Sequence, residues 1–273
     1  MKLGIDIGGT SINIGAVKSG NLVSVSSYPS FAYNCTLEET FEHLFSIIDR
    51  HIADTDSIGV GVPSVVDVEK GIVYDTANIP SWKEVHLGSE LEKRYNVPVS
   101  INNDANCFTI GAAEICGNGP KGIFVGVTLG TGVGIGVIND GKIINGANTG
   151  CGELTWLPYE GKPIEYWCGK HYFLDLGATP AEFCSRAEKG DSEALETLRQ
   201  YGRNLATLLN VVISAYDPHM IVFGGGISNA RGFFEESMML RLKETFPFPK
   251  SLEKLEIKYL PQSDAAILGA SLL

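Results

Sequence analysis

"LGIDIGGTSINIGAV", residues 3–17, decides how this chain is read. Leu3, Ile5 and Ile7 alternate with small or polar residues. A Gly8-Gly9-Thr10 turn follows, and Ile12, Ile14 and Ala16 resume the alternation, which predicts two short strands joined by a tight turn. "VGVTLGTGVGIGVI", residues 125–138, repeats the pattern of strand, glycine-rich turn and strand. One common offset lays Ile5 on Val127, Asp6 on Thr128 and Gly8 on Gly130, so the chain reads as an internal duplication.

Around the two hairpins, strands are expected over 22–28, 57–62, 97–101, 220–223 and 255–260. Helices are expected over 36–53, 105–115, 180–190, 192–201, 204–215, 233–246 and 265–272, with Thr36 and Glu39 forming a capping box. Each half then carries a hairpin-led sheet with helices. This is an α/β chain of two lobes, divided into 1–115 and 116–273, with the last helix packing back on the first lobe and a ligand expected in a cleft between them.

Composition narrows the function classes. The 273 residues are 44% hydrophobic and 19% charged, ordinary for a globular protein, and the formal net charge of -11 disfavours nucleic acid and anionic membrane as partners. With no signal-peptide pattern and no apolar run of about 18 residues, a cytoplasmic location is expected. Cys35, Cys107, Cys116, Cys151, Cys168 and Cys184 form no C-x-x-C pair, so most are expected to be small buried hydrophobes. The 32 glycines gather at 8–9, 117–122, 126–136 and 224–226, where apolar runs end.

A strand-turn-strand with Gly8, Gly9 and Thr10 at its tip can offer backbone N–H groups and a hydroxyl to phosphate oxygens. Asp6, just before the tip, is placed to hold a hydrated Mg2+ against those phosphates. Gly130, Thr131 and Gly132 repeat the device for the same phosphates. Between the two turns, "INNDANC" (101–107) ends an apolar run in amides and a carboxylate. Asp104 at a strand end is where a general base belongs, although Asp and Asn there are also favoured helix caps.

These residues resemble the two phosphate motifs and the adenosine motif (Gly224, Gly225, Gly226) of the sugar kinase, hsp70 and actin superfamily. "GVPSVVD" (61–67), "NND" (102–104) and "GCGE" (150–153) are similar to the ROK family of repressors, open reading frames and kinases. The resemblance spans essentially the whole chain. It implies a duplicated actin-like, ribonuclease H-like fold and a kinase moving the γ-phosphate of ATP to a hexose, glucose at its 6-position first and N-acetylmannosamine as the alternative. Asp104 is implied as the base, and Ser64, Asn78, Asn103, Glu153 and Asp175 with Asp104 as the sugar-binding set. ATP and Mg2+ are the implied cofactors, and a homodimer the implied assembly.

The chain departs from the family pattern in one segment. Where the family reads G-E-x-G-H, residues 152–156 are Gly-Glu-Leu-Thr-Trp, so Trp156 replaces a zinc-binding His. Only Cys168 remains of three family zinc cysteines, and Asp175 stands where the family has a Glu. No structural zinc is expected; Trp156, Tyr159, Tyr166, Trp167, Tyr172 and Phe173 are expected to hold the loop as a hydrophobic cluster or to stack on sugar. Asp264 is expected to cap the last helix. A non-catalytic sugar-binding or regulatory protein is the alternative from another class.

Overall fold

The computed structural model describes residues 1–117, 122–260 and 264–273 of the chain. Part of the glycine cluster at 117–122 lies outside the described residues. The chain divides into two compact units. Among the described residues the first takes 1–117, 136–151 and 264–273, and the second takes 122–135 and 152–260.

The first unit is built on a five-stranded sheet of Lys2–Ile7 (β1), Ser11–Lys18 (β2), Asn21–Pro29 (β3), Ser57–Val62 (β4) and Val99–Asn103 (β5), in the order β3-β2-β1-β4-β5. β1 and β2 pair antiparallel with Ile5 opposite Ile14 and Asp6 opposite Asn13, while β4 lies parallel to β1 and β5 parallel to β4. Leu3, Ile5, Ile7, Ile12, Ile14, Ile58, Val60 and Val62 are all buried, as the alternation requires of strands covered by helices. A small sheet of Val65–Asp67, Ile72–Tyr74 and Glu84–Val85, absent from the sequence reading, lies outside it.

The helix Leu37–Ile48 (α1) begins with the expected capping box, Thr36 accepting from the Glu39 amide and Glu39 accepting from the Thr36 amide. The helix Leu87–Tyr95 (α2) was not anticipated, whereas Asp104–Ile115 (α3) follows β5 directly.

A second five-stranded sheet repeats the plan with Ile123–Leu129 (β6), Val133–Asn139 (β7), Lys142–Ile143 (β8), Met220–Gly224 (β9) and Glu256–Leu260 (β10), in the order β8-β7-β6-β9-β10. β9 runs parallel to both β6 and β10, matching the parallel half of the first sheet. Two sheets of one strand order are what an internal duplication produces.

The segments 192–201 and 204–215, read as two helices, are one helix, Ser192–Tyr216 (α4). Gly202 lies within it, and its missing side chain lets the helix Arg231–Thr245 (α5) approach, since a Cβ there would stand 2.3 Å from the Phe234 carbonyl oxygen.

The final helix, Ala265–Ser271 (α6), is buried along nearly its whole length within the first unit. A Cβ on Gly59 or Gly111 would lie 1.8 Å from its backbone oxygens, so those glycines are what allow the contact. Asp264 stands at its N-terminus but makes no side-chain cap bond, contrary to expectation. Among the described residues no helix is long and apolar enough to cross a membrane.

Candidate active site

In the first unit, β1 delivers Asp6 to the rim of the sheet and the turn to β2 carries Gly8, Gly9 and Thr10, with Gly9 and Thr10 exposed. The turn is closed by the Gly8 amide donating to the Ser11 oxygen at 2.8 Å. The Asn13 amide donates to Asp6 Oδ2 at 3.2 Å. Burial raises the Asp6 carboxyl above the usual carboxylate range, opposed by that single hydrogen bond. The Asn78 side chain lies against Gly9, where a Cβ would come within 3.1 Å of its Nδ2.

Asn103 and Asp104 form the junction of β5 and α3. Asn103, not Asp104, is the helix cap: its Oδ1 accepts from the amides of Ala105 (2.9 Å) and Asn106 (3.3 Å), and its Nδ2 donates to the Ser64 carbonyl at 3.2 Å. Asp104 is the first helical residue, with Oδ1 accepting from the Ala105 amide at 2.8 Å. The buried Cys107 senses both Asp6 and Asp104: burial pushes its thiol well up, and the two carboxylates add to the rise. Asp6, Asp104, Ser64, Asn78 and Asn103 are therefore all carried by one unit.

Sequence reasoning missed the amides behind this junction. Asn102, Asn106 and Asn145 form a buried network, with Asn106 Nδ2 donating to Asn102 Oδ1 at 3.0 Å and Asn102 Nδ2 to Asn145 Oδ1 at 3.1 Å. Two of the three sat in the "NNDAN" run as a signal. Asn145 lies 43 residues from Asn102 and carried none. Thr149 was likewise missed; its hydroxyl accepts from the Val66 amide at 3.0 Å and ties down the segment after Ser64.

In the second unit, the turn between β6 and β7 carries Gly130, Thr131 and Gly132, and β9 ends at Gly224 before Gly225 and Gly226. These two glycine groups meet. Gly225 has φ +81° and ψ 164°, a conformation open in practice only to glycine, and a Cβ there would stand 2.4 Å from the Leu129 carbonyl oxygen. Gly130 and Gly226 are different, because a Cβ on either would meet nothing within 4 Å. Their missing side chains leave open backbone that a ligand can approach.

Glu153 starts a short turn of helix, Glu153–Trp156, and accepts from the Trp156 indole N–H at 3.0 Å. Trp156 is 64% exposed and not part of a core, a correction to the cluster expected from sequence. The other five aromatics do associate: Trp167 packs edge-on to Tyr166 and Tyr159, and Tyr172 and Phe173 continue the contact to the buried Tyr201. Asp175, exposed at the end of a helix, Lys170–Asp175, accepts from the Tyr166 hydroxyl at 2.5 Å and from Lys162 Nζ at 3.5 Å, which hold its carboxyl below the usual range.

Cys107 and Cys168 are buried, whereas the other four cysteines are half-exposed, so the expectation that most are core holds for two. Among the described residues no three His, Cys, Asp or Glu side chains gather as a metal site. The Asp6 carboxylate is of the donor type Mg2+ takes, one or two carboxylates with phosphate and water completing the shell.

The chain belongs to the ROK family, whose model matches residues 2–176 and 161–273. Its relatives at 30% and 31% identity are sugar kinases. It is 31% identical over 272 residues to an N-acetyl-D-glucosamine kinase of Vibrio vulnificus, covering 86% of this chain and 87% of the relative. A second N-acetyl-D-glucosamine kinase, from Erwinia tasmaniensis, is 30% identical with the same coverage. In fold it matches a ROK family glucokinase from Streptomyces griseus, solved with glucose and AMPPNP, at TM-score 0.84 and 21% identity over 99% of this chain and 97% of that one.

Proposed function

We propose that this sugar kinase transfers the γ-phosphate of ATP to the 6-hydroxyl of a hexose with Asp104 as general base. The observation that carries the reading is the junction of β5 and α3. Asn103 supplies the cap there, and Asp104 is fixed at the first helical position, at the end of the strand that also carries Asn102 and Asn103.

In the mechanism, Asp104 takes the proton of the sugar hydroxyl as its oxygen forms the new bond to phosphorus, and the bond from phosphorus to the ADP oxygen breaks. Asn103, Ser64, Asn78, Glu153 and Asp175 contact sugar hydroxyls. Backbone amides of Gly8 to Thr10 and Gly130 to Gly132 hold phosphate oxygens, Gly224 to Gly226 lie at the adenosine, and Asp6 holds Mg2+ through water. Mg2+, when bound, neutralises charge on the β- and γ-phosphates.

N-acetyl-D-glucosamine is the sugar we rank first, because the relatives at 30% and 31% identity are kinases of that sugar. Glucose and N-acetylmannosamine follow. The enzyme is proposed to act as a homodimer in the cytoplasm.

The test is a coupled ADP-release assay with Mg-ATP against N-acetylglucosamine, glucose, N-acetylmannosamine, mannose, fructose and allose, beside the Asp104→Asn protein. Sugar-dependent turnover should fall by at least about 100-fold in the variant, the scale of a lost general base, while nucleotide binding persists. Substantial kcat in the variant would sink the assignment. Silence across the panel with sugar binding intact would favour a sugar-binding regulator.

A further inference from the structure

One carboxylate in the second unit has no hydrogen bond or ion pair among the described residues and yet faces the phosphate turn. Glu165 rides on the short helix Ile164–Cys168, and its Oε1 lies where a Gly132 side chain would begin: a Cβ built on Gly132 would stand 2.3 Å from it. The mount is firm. The Glu165 carbonyl accepts from the Gly169 amide at 2.7 Å, and the next amide, Lys170, donates to the Gly130 carbonyl at 3.1 Å, binding this helix end to the turn itself.

We propose that Glu165 is a positioning residue of the phosphate turn: its carboxylate, seated against Gly132, opposes the nucleotide's phosphates, so that nucleotide binding takes up a proton at Glu165. This rests on the reading that Gly130, Thr131 and Gly132 hold nucleotide phosphate.

The electrostatics run in the required sense. Half-burial raises the Glu165 carboxyl, the Glu153 carboxylate raises it further, and His171 opposes them. A phosphate on the turn adds negative charge and must raise it again. Below the Glu165 pKa of the free protein, affinity is unaffected. As pH climbs from there to the higher pKa of the complex, affinity weakens by up to about tenfold per pH unit, then levels off.

The test is calorimetric titration of the full chain with Mg2+-AMPPNP from pH 5 to 8, in buffers of differing ionisation enthalpy, for the natural protein, Glu165→Gln and Gly130→Ala. Phosphate groups titrate as well, so the signal is the difference between proteins. The natural protein should take up more protons than Glu165→Gln, and Glu165→Gln should bind about three- to tenfold tighter at pH 8 with a flatter pH profile. Equal proton uptake in the two, or weaker binding by Glu165→Gln at every pH, overturns the proposal. Glu165→Ala repeats the comparison should the glutamine protein fail to fold. Gly130→Ala separates the two failures. Unchanged affinity there removes the phosphate turn from nucleotide binding, and weakened affinity beside an unaltered Glu165→Gln profile removes Glu165 alone.

Discussion

At Asp6 the proposed role in the site runs against the interest of the fold. Its carboxyl is raised by burial and receives one amide hydrogen bond, from Asn13, and no lysine or arginine pairs with it among the described residues. A poorly compensated carboxylate costs stability. Asp6→Asn should therefore raise the melting temperature at neutral pH by a few degrees, the effect of about 1 kcal/mol, while lowering affinity for Mg2+-nucleotide. A lower melting temperature, read by calorimetry, would show that the carboxylate is held by interactions beyond those described. Asn103 and Asp104 are both engaged at the junction: Asn103 caps the helix and donates to the Ser64 carbonyl, and Asp104 Oδ1 accepts from the Ala105 amide.

The glycine turns make their prediction at the scale of elements, because glycine serves two unlike ends there. Gly225 is required by the backbone, where its φ of +81° and the Leu129 carbonyl leave no place for a Cβ. Gly130 meets nothing within 4 Å. Gly225→Ala should thus cost more than about 1–3 kcal/mol, a loss of roughly 5–10 °C in melting temperature. Gly130→Ala should stay within about 0.5 kcal/mol and yet weaken nucleotide binding, and equal melting temperatures for the two variants would refute the distinction. Neither reason could be told from the other in sequence, where both are simply glycines at the ends of apolar runs. The same limit explains α4, read as two helices: the value of Gly202 lies in the contact it permits with α5.

For the whole molecule, the last ten residues matter more than their number suggests. α6 lies against Gly59 and Gly111, contacts that bring the far end of the chain into the unit begun by β1. Removing 264–273 would strip an apolar helix from that core and expose the glycine faces beneath it, so the shortened chain should lose the near-ultraviolet circular dichroism of its first unit. Retention of the full signal and melting temperature would contradict this account of α6.

The alternation of apolar residues in 3–17 and 125–138 was enough, by itself, to establish the two hairpins and their duplication, because strand periodicity and glycine turns are local properties. Asp6, Asp104 and the glycine turns became candidates for the same reason, each standing at an abrupt end of an apolar run. Which residues surround them was not legible. The Asn102, Asn106 and Asn145 network, the meeting of Gly225 with Leu129, the exposure of Trp156 and the placing of Glu165 against Gly132 all join positions separated along the chain or depend on what packs beside them. Only tertiary packing sets such distances, since a side chain's burial and charge are decided by neighbours that the order of residues does not name.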